Sequence, residues 1–245
     1  MLRRLGLALA LLVAFASPAA AAIAFVQSDQ FSAAGGGTTA ALAFTSNNAA
    51  GNFIAVAVSW LGTDVVPTCA DSANGAYTEA GTHLFDAGSG EGLGVFYRHN
   101  IAAGANTVTC QLTDSQSFRT LLIHEYSGVA TSAALDDTTG LNSAGSGTTA
   151  TTAALTCSVN GCLLFGALAN HTSGTIAAGT DFTEREEDTG NWRASEDFTQ
   201  TTAASHAATW TVGNNDDYTA RLALFKPVAV GGSPAPTRGL MGVGR

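Results

Sequence analysis

Lysine is nearly missing from this chain: Lys226 is the only one, and ten basic residues face nineteen acidic ones. Nucleic acid and anionic membranes are both held by clustered Lys and Arg. No such cluster exists, so neither is expected as a partner. Charge of either sign is sparse at 12%, and the formal net charge is −9. No apolar segment long enough to span a bilayer follows the N-terminal region. Apolar residues at helical spacing are absent too. No GxSxG elbow, P-loop or dinucleotide fingerprint occurs. The five His show no metal-ligand spacing with the four Cys. His124-Glu125 opens like a zinc helix motif, but position 128 is Gly.

The chain does open with a leader pattern. Met1-Leu-Arg-Arg4 is a charged start, and Leu5 to Phe15 is apolar but short. Pro18 to Ala22 then offers small residues, so residues 1–22 read as a signal peptide cut after Ala22. A secreted or periplasmic protein is expected. In that setting four cysteines suggest two disulfides, with three pairings possible. Cys157-Ser-Val-Asn-Gly-Cys162 carries a turn dipeptide, so these two could face each other across a hairpin. Cys69 and Cys110 would then join neighbouring strands.

Alanine, glycine, threonine and serine dominate the rest, which favours sheet. Phe53 to Val58 is apolar on both faces and lies between Gly51 and Gly62, as a central buried strand would. Thr107 to Leu112 alternates cleanly, with Val108, Cys110 and Leu112 inward. Leu121 to Tyr126 reads as a second buried strand. Glu125 lies on its core side, where a carboxylate can hold a neighbouring loop through backbone N–H groups. About a dozen such strands and no helix pattern predict an all-β antiparallel sandwich, jelly-roll-like, as one domain over residues 23–227. Residues 228–245 hold Gly, Pro and Ser without a core pattern and read as a flexible tail.

Several stretches carry a resemblance. They are Asn48-Ala-Ala-Gly-Asn52, Asp71-Ser-Ala-Asn-Gly-Ala-Tyr77, Asn100 to Val108, Glu125-Tyr-Ser-Gly128 with Leu135-Asp136, and Leu163-Leu-Phe-Gly166. Together they resemble a group of uncharacterised bacterial exported domains, similar to domains in phage structural proteins. The resemblance implies a sandwich of the kind shared by lectins and carbohydrate-binding modules. It implies no catalytic residues.

Three readings compete for the acidic stretch. Glu184, Glu186 and Asp188 would share one face of a strand and could work as paired carboxylates on a glycoside. Oxygen donors there, at Asp136 and Asp137, or in the loop holding Asp216 and Asp217, could bind Ca²⁺. A solvated edge carrying charge against aggregation is the third. No other cofactor is expected. Trp192 in Asn191-Trp192-Arg193, with Tyr218, could form a sugar-stacking platform; Trp210, Tyr77 and Tyr97 are further aromatic candidates. Ser127 with His124 and Asp136 is too loosely specified to be a triad. Asn170-His-Thr172 is a glycosylation acceptor by pattern. The expected function is non-catalytic binding outside the cell, of carbohydrate or another surface polymer. A polysaccharide hydrolase using the acidic stretch, and a structural subunit of a surface layer or virion, are the alternatives.

Overall fold

The computed structural model describes residues 22–143, 147–171, 174–214 and 217–229. Residues 1–21 of the expected signal peptide, residues 230–245 of the expected tail, and Asp216 lie outside the described residues. The first half supplies β1 (Ala24–Ala33), β2 (Gly37–Ala43), β3 (Phe53–Leu61), β4 (Pro67–Asp71), β5 (Gly75–Ala76), β6 (Thr78–Glu79), β7 (Leu84–Asp86), β8 (Glu91–Arg98) and β9 (Thr107–Ser127). The second half supplies β10 (Leu135–Ser143), β11 (Thr149–Thr151), β12 (Leu155–Thr156), β13 (Leu163–Asn170), β14 (Ile176–Ala178), β15 (Thr183–Asp188), β16 (Arg193–Thr199), β17 (Ser205–His206), β18 (Thr209–Val212) and β19 (Tyr218–Phe225). The fold is all-β and every pairing between strands is antiparallel. Among the described residues no helix is long and apolar enough to cross a membrane.

β3 is central, hydrogen-bonded to β8 on one side and β9 on the other. Its two apolar faces serve two different cores. Ile54, Val56 and Val58 point into the first sheet's own concave side, with Val108, Leu121 and Ile123. Phe53, Ala55 and Ala57 point the other way, onto Leu163, Phe165 and Phe225 of the second sheet. The concave side exists because β9 serves two places. Residues Thr107 to Leu112 pair with β4 and β2, whereas Thr120 to Ser127 pair with β1 and β3. Phe118, between the two parts, has φ +46°, and the sheet curls there. The two stretches read from sequence as separate strands are therefore one. The nearly closed sheet packs tightly at β3 and β8: a Cβ on Gly92 would run into the indole of Trp60.

The second sheet runs β10-β19-β13-β16-β15. Its inner face shares the inter-sheet core. Its outer face is covered by β11-β18-β14 and β12-β17, which bury Trp210, Val212 and Ile176 against Leu164, Leu168 and Leu222. The sandwich thus carries a third layer.

Both cysteine pairs are at bonding distance, Cys69–Cys110 and Cys157–Cys162. Cys69 and Cys110 are direct partners across β4 and β9. The hairpin expected around Cys157 and Cys162 does not form. β12 pairs with β17, and β13 pairs with β16 and β19. Asp136 accepts hydrogen bonds from the backbone N–H and the hydroxyl of Ser158, each at 2.6 Å, and draws that arm toward β10. The bridge therefore staples a loop.

Candidate binding site

Between the sheets, at one end of β16, lies a buried polar cluster. Arg193 is 2% exposed and gives Nη2–H to Glu91 Oε2 at 2.5 Å and Nε–H to Ser59 Oγ at 3.0 Å. Its Nη1 donates to the carbonyls of Asn170 and Asn191. Asp188 accepts from Thr120 Oγ1 at 2.6 Å and from the backbone N–H of Gly190 and Asn191. Asn191 Nδ2 donates to Ser32 Oγ and Thr120 Oγ1. These bonds tie the β15–β16 turn to β1, β3 and β9 of the first sheet. A buried ion pair with so many satisfied partners fixes geometry more than it adds stability.

That fixed turn presents Trp192. The residue is half-buried, its inner side packed on the outer core. It shares a shallow cleft of about 40 Å³ with Leu61, Phe118 and His171, above Glu91 and Arg193. Trp192 has φ +56° and Phe118 has φ +46°. Left-handed backbone costs a bulky residue about 1–2 kcal/mol, and strain of this kind gathers where a side chain must be aimed. Two strained aromatic residues border one cleft. The cleft itself holds little more than water, so a ligand would lie over the rings and not enter.

The other residues singled out from sequence fare differently. Asn191 and Arg193 are buried with their polar groups consumed by the cluster, so they form the floor of the cleft and hold Trp192. Tyr218 comes to the same end of the sheet, opposite Asn170, but its ring is in the outer core and its hydroxyl donates to the Thr149 carbonyl at 3.2 Å. The backbone carbonyl of Asp217 accepts from the His171 N–H at 3.0 Å, and Asp216 lies outside the described residues. Among the described residues the one group with metal-like spacing is Asp136 with Cys157 and Cys162, whose sulfurs are bonded to each other. Asn170 is fully buried and presents no amide for glycosylation.

The acidic stretch does not keep one face. A bulge at Arg185 interrupts the β15 register. Glu186 accepts from Ser28 Oγ, Asp188 is sealed by Thr120, and Glu184 stays outside beside Glu187. Arg185 turns inward, paired with Asp197 at 2.7 Å and lying over the Phe25 ring. The nearest approach to a nucleophile–base pair is Ser195 Oγ, 2.8 Å from His124 Nε2, with both residues fully buried. Burial pushes the imidazole down to about 3, so it is neutral, and no substrate reaches it. Glu125 is also fully buried. Its oxygens accept from the Ala49 N–H and from the amides of Asn48, Asn52 and Gln27, at 2.6–2.9 Å, locking the loop before β3.

No family model, curated protein or solved structure matches this chain. The site stands on its geometry alone. Trp192 is conspicuous in the sequence because it sits among polar residues. Phe118 has a similar polar setting in Ser115-Gln-Ser-Phe118, and Glu91 opens β8 beneath the cleft.

Proposed function

We propose that this chain is an exported, non-catalytic binding module that holds carbohydrate or a similar hydroxyl-rich surface polymer against Trp192 and Phe118. The observation that carries this reading is the pair of left-handed aromatic residues beside one shallow cleft over a locked polar floor. An aromatic face suits the apolar C–H face of a pyranose, and the fixed turn removes ordering cost on binding. Two disulfides fit an oxidising compartment, which supports export. The dispersal of Glu184, Glu186 and Asp188 to different surroundings weighs against a hydrolase. A glycan array probed with wild type, Trp192→Ala and Phe118→Ala tests the reading. Signal on at least one glycan class, reduced tenfold or more in both variants, is expected. No signal on any glycan, or signal unchanged in both variants, would refute it.

A further inference from the structure

A second and larger concavity lies at the opposite end of the sandwich. β16 runs from Arg193 beside the Trp192 cleft to Thr199 on its wall, so the two are about 20 Å apart at the usual strand rise. Its volume is about 820 Å³, within the range that encloses small molecules. Ile23, Ala133, Val159 and Val228 give it an apolar lining, and Val159 is one of few large apolar side chains left 41% exposed. Among the described residues no aromatic and no acidic side chain lines it. Small aliphatic walls suit a flexible hydrocarbon chain and offer nothing for a sugar or a planar ring to stack on.

Thr131, Ser132, Asn160, Thr199 and Thr201 add hydroxyl and amide groups to this wall, and two further polar residues stand out. Lys226, the chain's only lysine, stands at the cleft. Its one acidic neighbour, Asp136, is 3.9 Å away and already accepts two hydrogen bonds from Ser158. The ammonium therefore keeps donors to give. Gln200 is 2% exposed, and neither its Oε1 nor its Nε2 has a hydrogen-bond partner. Its backbone N–H is fixed on the Cys162 carbonyl at 3.0 Å. A buried amide without partners is rare in native structures and points to a missing group.

We infer that this cleft binds a medium-chain fatty acid, with the hydrocarbon chain along the apolar wall and the carboxylate at Lys226 and Gln200. The inference is independent of the glycan reading, since the two sites share no residue. The test is calorimetric titration of the purified protein with octanoate, decanoate and dodecanoate below their micelle concentrations, and with decanol as the uncharged counterpart. Affinity is expected to climb by up to about fourfold per added methylene. Val159→Asp, on an exposed loop, should keep its melting temperature and lose at least tenfold in affinity. Lys226→Gln should weaken decanoate several-fold and leave decanol unchanged. Affinity indifferent to chain length, Val159→Asp binding like wild type, or Lys226→Gln weakening acid and alcohol alike would each overturn the assignment. So would retention on phosphatidylglycerol vesicles without binding of the free acids, which would assign the surface to a bilayer instead.

Discussion

His124 and Glu196 carry opposite dependences on pH, and both follow from burial. His124 is held neutral, with its ring pushed down to about 3. The unfolded imidazole, at about 6.5, takes up its proton first as the solution is acidified. Its contribution is thus complete above about 6.5 and is lost as pH falls toward 3. Burial raises the Glu196 carboxyl to about 8, although it accepts from the Gly179 and Thr209 N–H groups. The unfolded carboxyl ionises from about 4.5, so stability declines as pH rises from there to 8. The two slopes cancel between about 4.5 and 6.5. Glu79, Glu184 and Glu186, whose carboxyls burial also raises, add to the decline, so calorimetric melts of the wild type should fall as pH rises from 6.5 to 8. Glu196→Gln should reduce the decline between 6.5 and 8. A wild-type melting temperature that climbs over that interval would contradict the assignment. At this scale the half-buried position of Trp192 was legible, because an indole in a polar stretch is conspicuous. The left-handed backbone of Phe118 was not, because nothing in a phenylalanine side chain announces positive φ.

At the level of elements, Glu125 shows what period-2 reading achieves. Its alternation with Leu121 and Ile123 placed it inward, and it does hold the loop before β3, through the Ala49 N–H and the side-chain amides of Asn48 and Asn52, with Gln27 of β1 as a fourth donor. Glu125→Gln would set an amide N–H₂ against two of those donors, at a cost of about 2–3 kcal/mol. Urea unfolding of the variant measures this; a loss below about 0.5 kcal/mol would mean that the loop is held by other contacts. The bulge at Arg185 was not legible, since Thr183-Glu-Arg-Glu-Glu-Asp188 contains no Gly or Pro to mark it. Arg185 turns inward because Asp197 and the Phe25 ring lie there, and both belong to distant parts of the chain. The polar middle of β9, Asp114-Ser-Gln-Ser117, looked like a break for a similar reason. It remains strand where β9 changes partners, with Gln116 capping the Thr63 N–H at 2.8 Å. The staple at Cys157 and Cys162 was foreseen as a pair but misread as a hairpin, because the pull of Asp136 on Ser158 is a tertiary contact.

For the molecule as a whole, the all-β sandwich was legible in alternation and turn residues, while its third layer was not. Strands of two or three residues, such as β12, β14 and β17, cover the second sheet's outer face, and such pieces are too short to show periodicity. The two bridges should differ in weight. Loop-closure entropy gives about 4 kcal/mol for the 41-residue separation of Cys69 and Cys110 and about 2 for the 5-residue separation of Cys157 and Cys162. Cys69→Ala/Cys110→Ala should therefore unfold at lower urea than Cys157→Ala/Cys162→Ala, and the reverse order would show that local loop geometry outweighs chain entropy. The proposed glycan site has a built-in reporter. Of three tryptophans, Trp60 and Trp210 are fully buried, and only Trp192 borders a surface cleft. Titrating soluble oligosaccharides from the array-positive class while following tryptophan emission should give a saturable change in wild type and none in Trp192→Phe. An unchanged emission at saturating sugar, or the same change in Trp192→Phe, would contradict the placement of the site.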